Sequence, residues 1–176
     1  WVVGFMGVEK STIGPLLAEQ LGFHFLDMDQ EIELASGLGI DQLFCSLGER
    51  YFRHQESELV RALAAQEGLI IATGGGAVLL AENRDCMRAS GHVVWLSASV
   101  DVILQRIMND NSRPLLNVTN RRQAIDQLLA ARQGIYESVC DFRVDTGTVS
   151  SDKAAVLIAA WVKAGCNTSN RVGEEM

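Results

Sequence analysis

Gly4, Gly7, Lys10 and Ser11 fall within the stretch GFMGVEKSTIG, which follows Val2-Val3 and leads into Pro15-Leu16-Leu17. The spacing is that of a phosphate-binding loop, G-x-x-x-x-G-K-[ST], with one departure: Glu9 stands where the pattern has glycine. In such a loop successive main-chain N–H groups converge at the start of a helix and seat an anion. The lysine then reaches the β- and γ-phosphates of ATP, and the hydroxyl after it ligates Mg²⁺. An ordinary glycine turn is the bland alternative, and the strand-like residues before it and helix-like residues after it weigh against that. Glu9 opposes nucleotide binding in two ways. If the position needs a positive φ, a residue with a Cβ loses about 1–2 kcal/mol there. A carboxylate about 5 Å from a phosphate charge adds a repulsion of about 3 kcal/mol at an effective dielectric of about 20. Turning the side chain into solvent relieves much of the second penalty and little of the first. The expectation is an intact fold with ATP affinity weakened about 10²-fold.

Four other places carry chemically useful residues. In FLDMDQEIE, Asp27 and Asp29 are two apart at a strand end. If the extended geometry persists they face opposite ways, so one can address Mg²⁺ and phosphates and the other an acceptor. An Asp29 that merely caps a helix starting near Gln30 accounts for the local sequence equally well. In GERYFRHQESE, Glu49, Arg53 and Glu56 share one helical face, and the acids could hold Arg53 toward an anionic substrate. Taken alone, a solvated charged face is the commoner outcome. Gly74, Gly75 and Gly76 follow an apolar strand and permit very close approach of backbone to ligand. Arg113, in NDNSRPLL, could close over a nucleotide as a lid arginine or be a plain loop residue. Arg132 has no signal of its own.

The elements that position these residues alternate. Strands are expected at Val2-Val3, 23–26, 69–73, 92–96 and 142–145, and helices at 11–21, 30–36, 40–66, 82–90, 100–107, 121–139 and 152–164, with breaks near 37–39 and at Gly48. Such alternation implies a parallel sheet covered by helices on both faces, with ligands beyond the carboxyl ends of its strands. The strand-to-helix loops therefore hold the phosphate-loop, Asp27–Asp29 and Gly74–Gly76 motifs, while Arg113 lies between two helices. The 176 residues are expected to form one domain over 1–165, with 108–120 as a lid and 166–176 as a flexible tail.

Lys plus Arg number 15 against 22 Asp plus Glu, a net charge of −7, which argues against a general nucleic-acid binder. No apolar run is long enough to span a membrane. The four cysteines lack C-x-x-C spacing and read as reduced thiols of a cytoplasmic protein.

Together, GFMG…KSTIG, FLDMDQEIE, GERYFRHQE, TGGGAV, RPLL and RQGIYES resemble the shikimate kinases in order and separation, over about residues 4–146. The resemblance implies a five-stranded parallel sheet of the P-loop, nucleoside-monophosphate-kinase type with a lid, and the transfer of the ATP γ-phosphoryl group to shikimate, giving shikimate 3-phosphate in aromatic amino-acid biosynthesis. It implies a nucleotide site at Gly4, Gly7, Lys10, Ser11, Thr12, Arg106 and Arg113, with Arg106 stacking on adenine. It places Mg²⁺ at Ser11 and Asp27. Asp29, Arg53, Gly74, Gly75, Gly76 and Arg132 would bind shikimate, and Lys10, Asp29 and Arg113 would act in catalysis. The expected form is a monomer with no nucleic-acid or membrane partner. Two departures both touch the nucleotide side. One is Glu9, and the other is TGTVSSDKA after the last strand, which lacks the arginine or proline that some members place beside adenine. A relative that binds shikimate without turning over ATP is therefore the alternative.

Overall fold

The computed structural model describes residues 1–107 and 120–166. Its strands are β1 (Val2–Val3), β2 (His24–Asp27), β3 (Leu69–Ala72), β4 (Val94–Ser97) and β5 (Phe142–Asp145). They form one sheet in the order β2-β3-β1-β4-β5, every pair parallel. The helices are α1 (Lys10–Leu21), α2 (Met28–Ser36), α3 (Ile40–Ala64), α4 (Ala81–Ser90), α5 (Val100–Ile107), α6 (Arg121–Val139) and α7 (Ser151–Lys163), with a 3₁₀ turn at Ala77–Leu79. Gly48 interrupts α3 with a φ of 80°, where the sequence places a break.

Alternation along the strands builds two cores. Val2, Ile70, Val94 and Leu96 pack with Ile13 and Leu17 of α1 and with Ile158 of α7. Their neighbours Val3, Ile71 and Trp95 face the other way, onto Val60, Met87 and Tyr136 from α3, α4 and α6. Side chains of a strand point to opposite faces in turn, so short apolar runs with no polar alternation are what a sheet covered on both sides requires. The expected three-layer α/β/α fold is the one formed.

Element boundaries shift by at most two residues from expectation, and one shift matters. β2 runs one residue further, because Asp27 stays in register with Ala72 of β3. The helix then starts at Met28 instead of Gln30. Asp27, not Asp29, is its N-cap, with Oδ1 accepting from the Asp29 amide at 3.0 Å. The extended geometry that would have sent the two carboxylates to opposite sides ends at Asp27. Among the described residues no helix is long and apolar enough to cross a membrane.

Candidate active site

β1 lies at the centre of the sheet, so the loop after it opens at the middle of the carboxyl edge. This loop carries Gly7 at φ 76° and ends at Glu9, whose φ of 66° and ψ of 30° are left-handed. The conformation that favours glycine is therefore adopted with a Cβ in place, against the intrinsic bias of about 1–2 kcal/mol. α1 starts at once, and its first amides have no partner within the helix. The Lys10 ammonium donates to the carbonyls of Gly4 and Phe5, both at 2.9 Å. Ser11 Oγ donates to Asp27 Oδ2 at 2.5 Å, which brings the two expected metal ligands together. Thr12 lies exposed one residue further along α1.

The glycine triplet joins this loop to an acceptor pocket. A Cβ on Gly75 would lie 3.4 Å from the Gly4 carbonyl and 3.5 Å from the Met6 amide, so triplet and phosphate loop touch. A Cβ on Gly76 would lie 2.4 Å from Arg53 Nη2, and one on Gly74 would meet Glu56 Oε1 at 2.7 Å and Asp29 Oδ1 at 2.8 Å. None of the three has a positive φ. Glycine is needed there for close approach of side chains to backbone, not for unusual dihedrals. From α6, Tyr136 Oη donates to the Gly75 carbonyl at 2.6 Å and Arg132 Nη1 to the same oxygen at 3.3 Å. These two residues are four apart, hence on one helical face. Arg53, Asp29, Glu56 and Arg132 thus converge on six ångströms or so of glycine backbone, about two residues of extended chain.

Arg53 is held rather than solvated. Its guanidinium pairs with Glu49 at 3.1 Å and with Glu56 at 2.8 Å, its side chain only 15% exposed. Burial works against its charge, but Glu56 and then Glu49 outweigh that and push its pKa up. Arg132 is buried, with its guanidinium over the Phe5 ring at 5.6 Å, and it forms no ion pair among the described residues. A buried cation with no ion-pair partner among the described residues is poised for an anion.

Glu56 has no exposure, and its Oε1 lacks a hydrogen-bond partner. Burial raises its pKa to about 7, Arg53 opposing and Asp29 adding to the rise. Burial wins because the pairing satisfies one carboxylate oxygen and leaves the other bare. The folded state therefore prefers the protonated acid. That preference stabilises fully below about 4.5, and it is lost as pH climbs through about 7. The loss amounts to about 3 kcal/mol. Denaturant unfolding at pH 5 and pH 8 should show this decline in wild type, and Glu56→Gln should remove it. An unchanged difference in the variant would mean that the acid titrates normally.

On the other flank, Arg106 of α5 reaches across the site. Nη1 donates to Gly7 O at 3.2 Å and to Thr146 Oγ1 at 2.8 Å, and Nη2 donates to Thr146 O at 2.7 Å. Nη2 also pairs with Glu9 Oε2 at 3.0 Å, and Ser151 Oγ donates to that oxygen at 3.3 Å. Glu9 does not escape the triphosphate site by turning into solvent. An arginine neutralises it. Arg113 and most of the expected lid lie outside the described residues.

Gly7, Lys10, Ser11, Asp27, Asp29 and Arg106 line one cleft of about 380 Å³. A hollow of about 250 Å³ at the opposite edge of the sheet is lined mainly by apolar groups such as Leu17, Phe23 and Ile158 and gathers none of these residues.

Residues 6–163 match the family model described as "Shikimate kinase". This chain belongs to the shikimate kinase family. The shikimate kinase of Methylococcus capsulatus is 43% identical over 166 residues, covering 94% of this chain and 93% of that protein. That of Geobacter sulfurreducens is 42% identical over 162 residues, covering 92% and 89%. The solved shikimate kinase from Acinetobacter baumannii in complex with shikimate superposes with a TM-score of 0.90 at 38% identity, covering 93% of this chain and 92% of that one. As a shikimate kinase family member the chain is a kinase with the P-loop, nucleoside-monophosphate-kinase-like fold. A gluconokinase from Sinorhizobium meliloti, at 18% identity and a TM-score of 0.56, shares the fold alone.

Two participants in this shikimate-kinase-like site, Tyr136 and Thr146, carry no role from the sequence, and a third, Glu56, does more than the sequence indicates. Tyr136 is signalled by its place four residues after Arg132, and burial pushes its pKa up to about 12, so it stays a neutral donor. Glu56 is legible as a partner of Arg53 but not as a buried group beside the triplet. Thr146 has no signal in the sequence, since only the β4–β5 pairing brings it to Arg106.

Proposed function

We propose that this chain catalyses the ATP-dependent phosphorylation of shikimate. The observation that carries the reading is the junction at Gly75, where a phosphate loop and two fixed guanidinium groups share one strand end. Shikimate offers a carboxylate for Arg53 and Arg132 and ring hydroxyls for Asp29 and the triplet. Only arginine presents a planar fork matched to a carboxylate, and Glu56 and Glu49 orient that of Arg53.

Asp29 accepts the proton as the acceptor hydroxyl attacks the γ-phosphorus. The new P–O bond forms as the bond to the β-phosphate oxygen breaks, and ADP leaves. Lys10 stabilises charge on the transferring group, moving from the loop carbonyls to the phosphate oxygens. Catalysis is positioning and neutralisation, with no covalent enzyme intermediate. Ser11 and Asp27 are hard oxygen donors already in contact, a set that would suit Mg²⁺. Held by these two residues, such a cation would supply charge neutralisation for the phosphates.

The purified chain with ATP and Mg²⁺ should release ADP when shikimate is added, and not with gluconate or a nucleoside monophosphate. Calorimetry with each ligand separately gives the second readout. Shikimate binding without ADP release would instead mark a binding module that has lost turnover.

A further inference from the structure

The two places where the sequence departs from the family pattern touch each other. Glu9, from the phosphate loop, accepts from Ser151 Oγ, and Ser151 belongs to the stretch TGTVSSDKA. Between them lies Arg106, which also ties down Gly7 and Thr146. One guanidinium thus joins the phosphate loop, the end of β5 and α5, and Glu9 extends the tie to the start of α7. The Glu9 and Arg106 side chains are only 31% and 24% exposed, which keeps the pair partly out of solvent screening.

We propose that Glu9 is a positioning residue of the nucleotide site, acting through Arg106, and that Arg106 is its required counter-charge. The pair fixes the guanidinium plane beside the phosphate loop before nucleotide arrives. It also converts a carboxylate that would repel the triphosphate into half of a neutral unit. This deepens the reading of the loop as an ATP site and rests on it. In this chain, removing Arg106 does more than delete an arginine. It releases a bare carboxylate next to the phosphates.

A double-mutant cycle with ATP–Mg²⁺ and shikimate calorimetry tests the coupling. Arg106→Gln should weaken ATP binding about 100-fold with Glu9 present, and about fivefold or less when combined with Glu9→Gln. Shikimate affinity should stay within about twofold in all four proteins, a split that a merely structural role would not give. Arg106→Lys keeps the charge without the fork, and it should recover at least about fivefold of the ATP affinity lost in Arg106→Gln. If Arg106→Gln does not fold, Arg106→Lys takes its place in the cycle. It should then weaken ATP binding at least about threefold more with Glu9 than with Glu9→Gln. A coupling below about threefold, or parallel losses for ATP and shikimate, would overturn the proposal while leaving turnover intact. Failure of every protein to bind ATP would overturn the proposed function together with it.

Discussion

Asp29→Asn is expected to lower kcat for shikimate phosphorylation by about 10³-fold and to move KM for shikimate by less than about fivefold. Asparagine has the same shape and can still hydrogen-bond a hydroxyl, but it cannot take up the proton. Binding should survive and the chemical step should not. Asp29 is placed for this by the first turn of α2, with Oδ1 against Gly74 beside the phosphate loop. The substitution also removes a negative neighbour of Glu56, so the pKa of that acid should fall from about 7. Steady-state kinetics and pH-dependent unfolding of the one variant therefore check each other. A kcat loss below about tenfold would reduce Asp29 to a substrate anchor.

Arg132→Met is expected to weaken shikimate binding by about 10²–10³-fold and to leave ATP affinity within about threefold. Methionine replaces much of the volume without the charge. In the unliganded protein Arg132 is a buried cation with no carboxylate partner among the described residues, so its removal should raise the melting temperature by a few degrees. Arg53→Met should differ in sign. It leaves Glu56 buried without its cation, and the protein should lose about 2 kcal/mol or more at neutral pH. Both arginines serve the same carboxylate in the proposed mechanism, yet among the described residues only Arg53 forms an ion pair. Thermal melts beside shikimate titrations separate the two. Equal destabilisation by both substitutions would mean that Arg132 has a structural partner of its own.

Local sequence determined a good deal here. The alternation of short apolar runs with amphipathic stretches is enough for a parallel sheet between two helical layers, because the pleat puts successive apolar residues on both faces. The spacing from Gly4 to Ser11 points to a nucleotide site, and the order of the motifs carries the resemblance to the shikimate kinases, which implies the acceptor. The charged spacing from Glu49 to Glu56 gives the pairing that holds Arg53. These are properties of neighbours along one chain, and local periodicity encodes them.

Tertiary structure decided what depends on residues far apart. Whether the Arg53 face is solvated or buried is undetermined by helical spacing. α3 closes over the triplet, and burial turns Glu56 into an acid with a pKa of about 7. Which aspartate caps α2 depends on how far β2 stays paired with β3. The fate of Glu9 is the clearest case. Its left-handed backbone is foreseeable from the loop pattern, but its charge partner is Arg106, almost a hundred residues on, delivered by α5 alongside the end of β5. Backbone strain is a local quantity that composition can predict. Electrostatic compensation depends on which charges the fold brings within a few ångströms, so sequence order alone could not supply it.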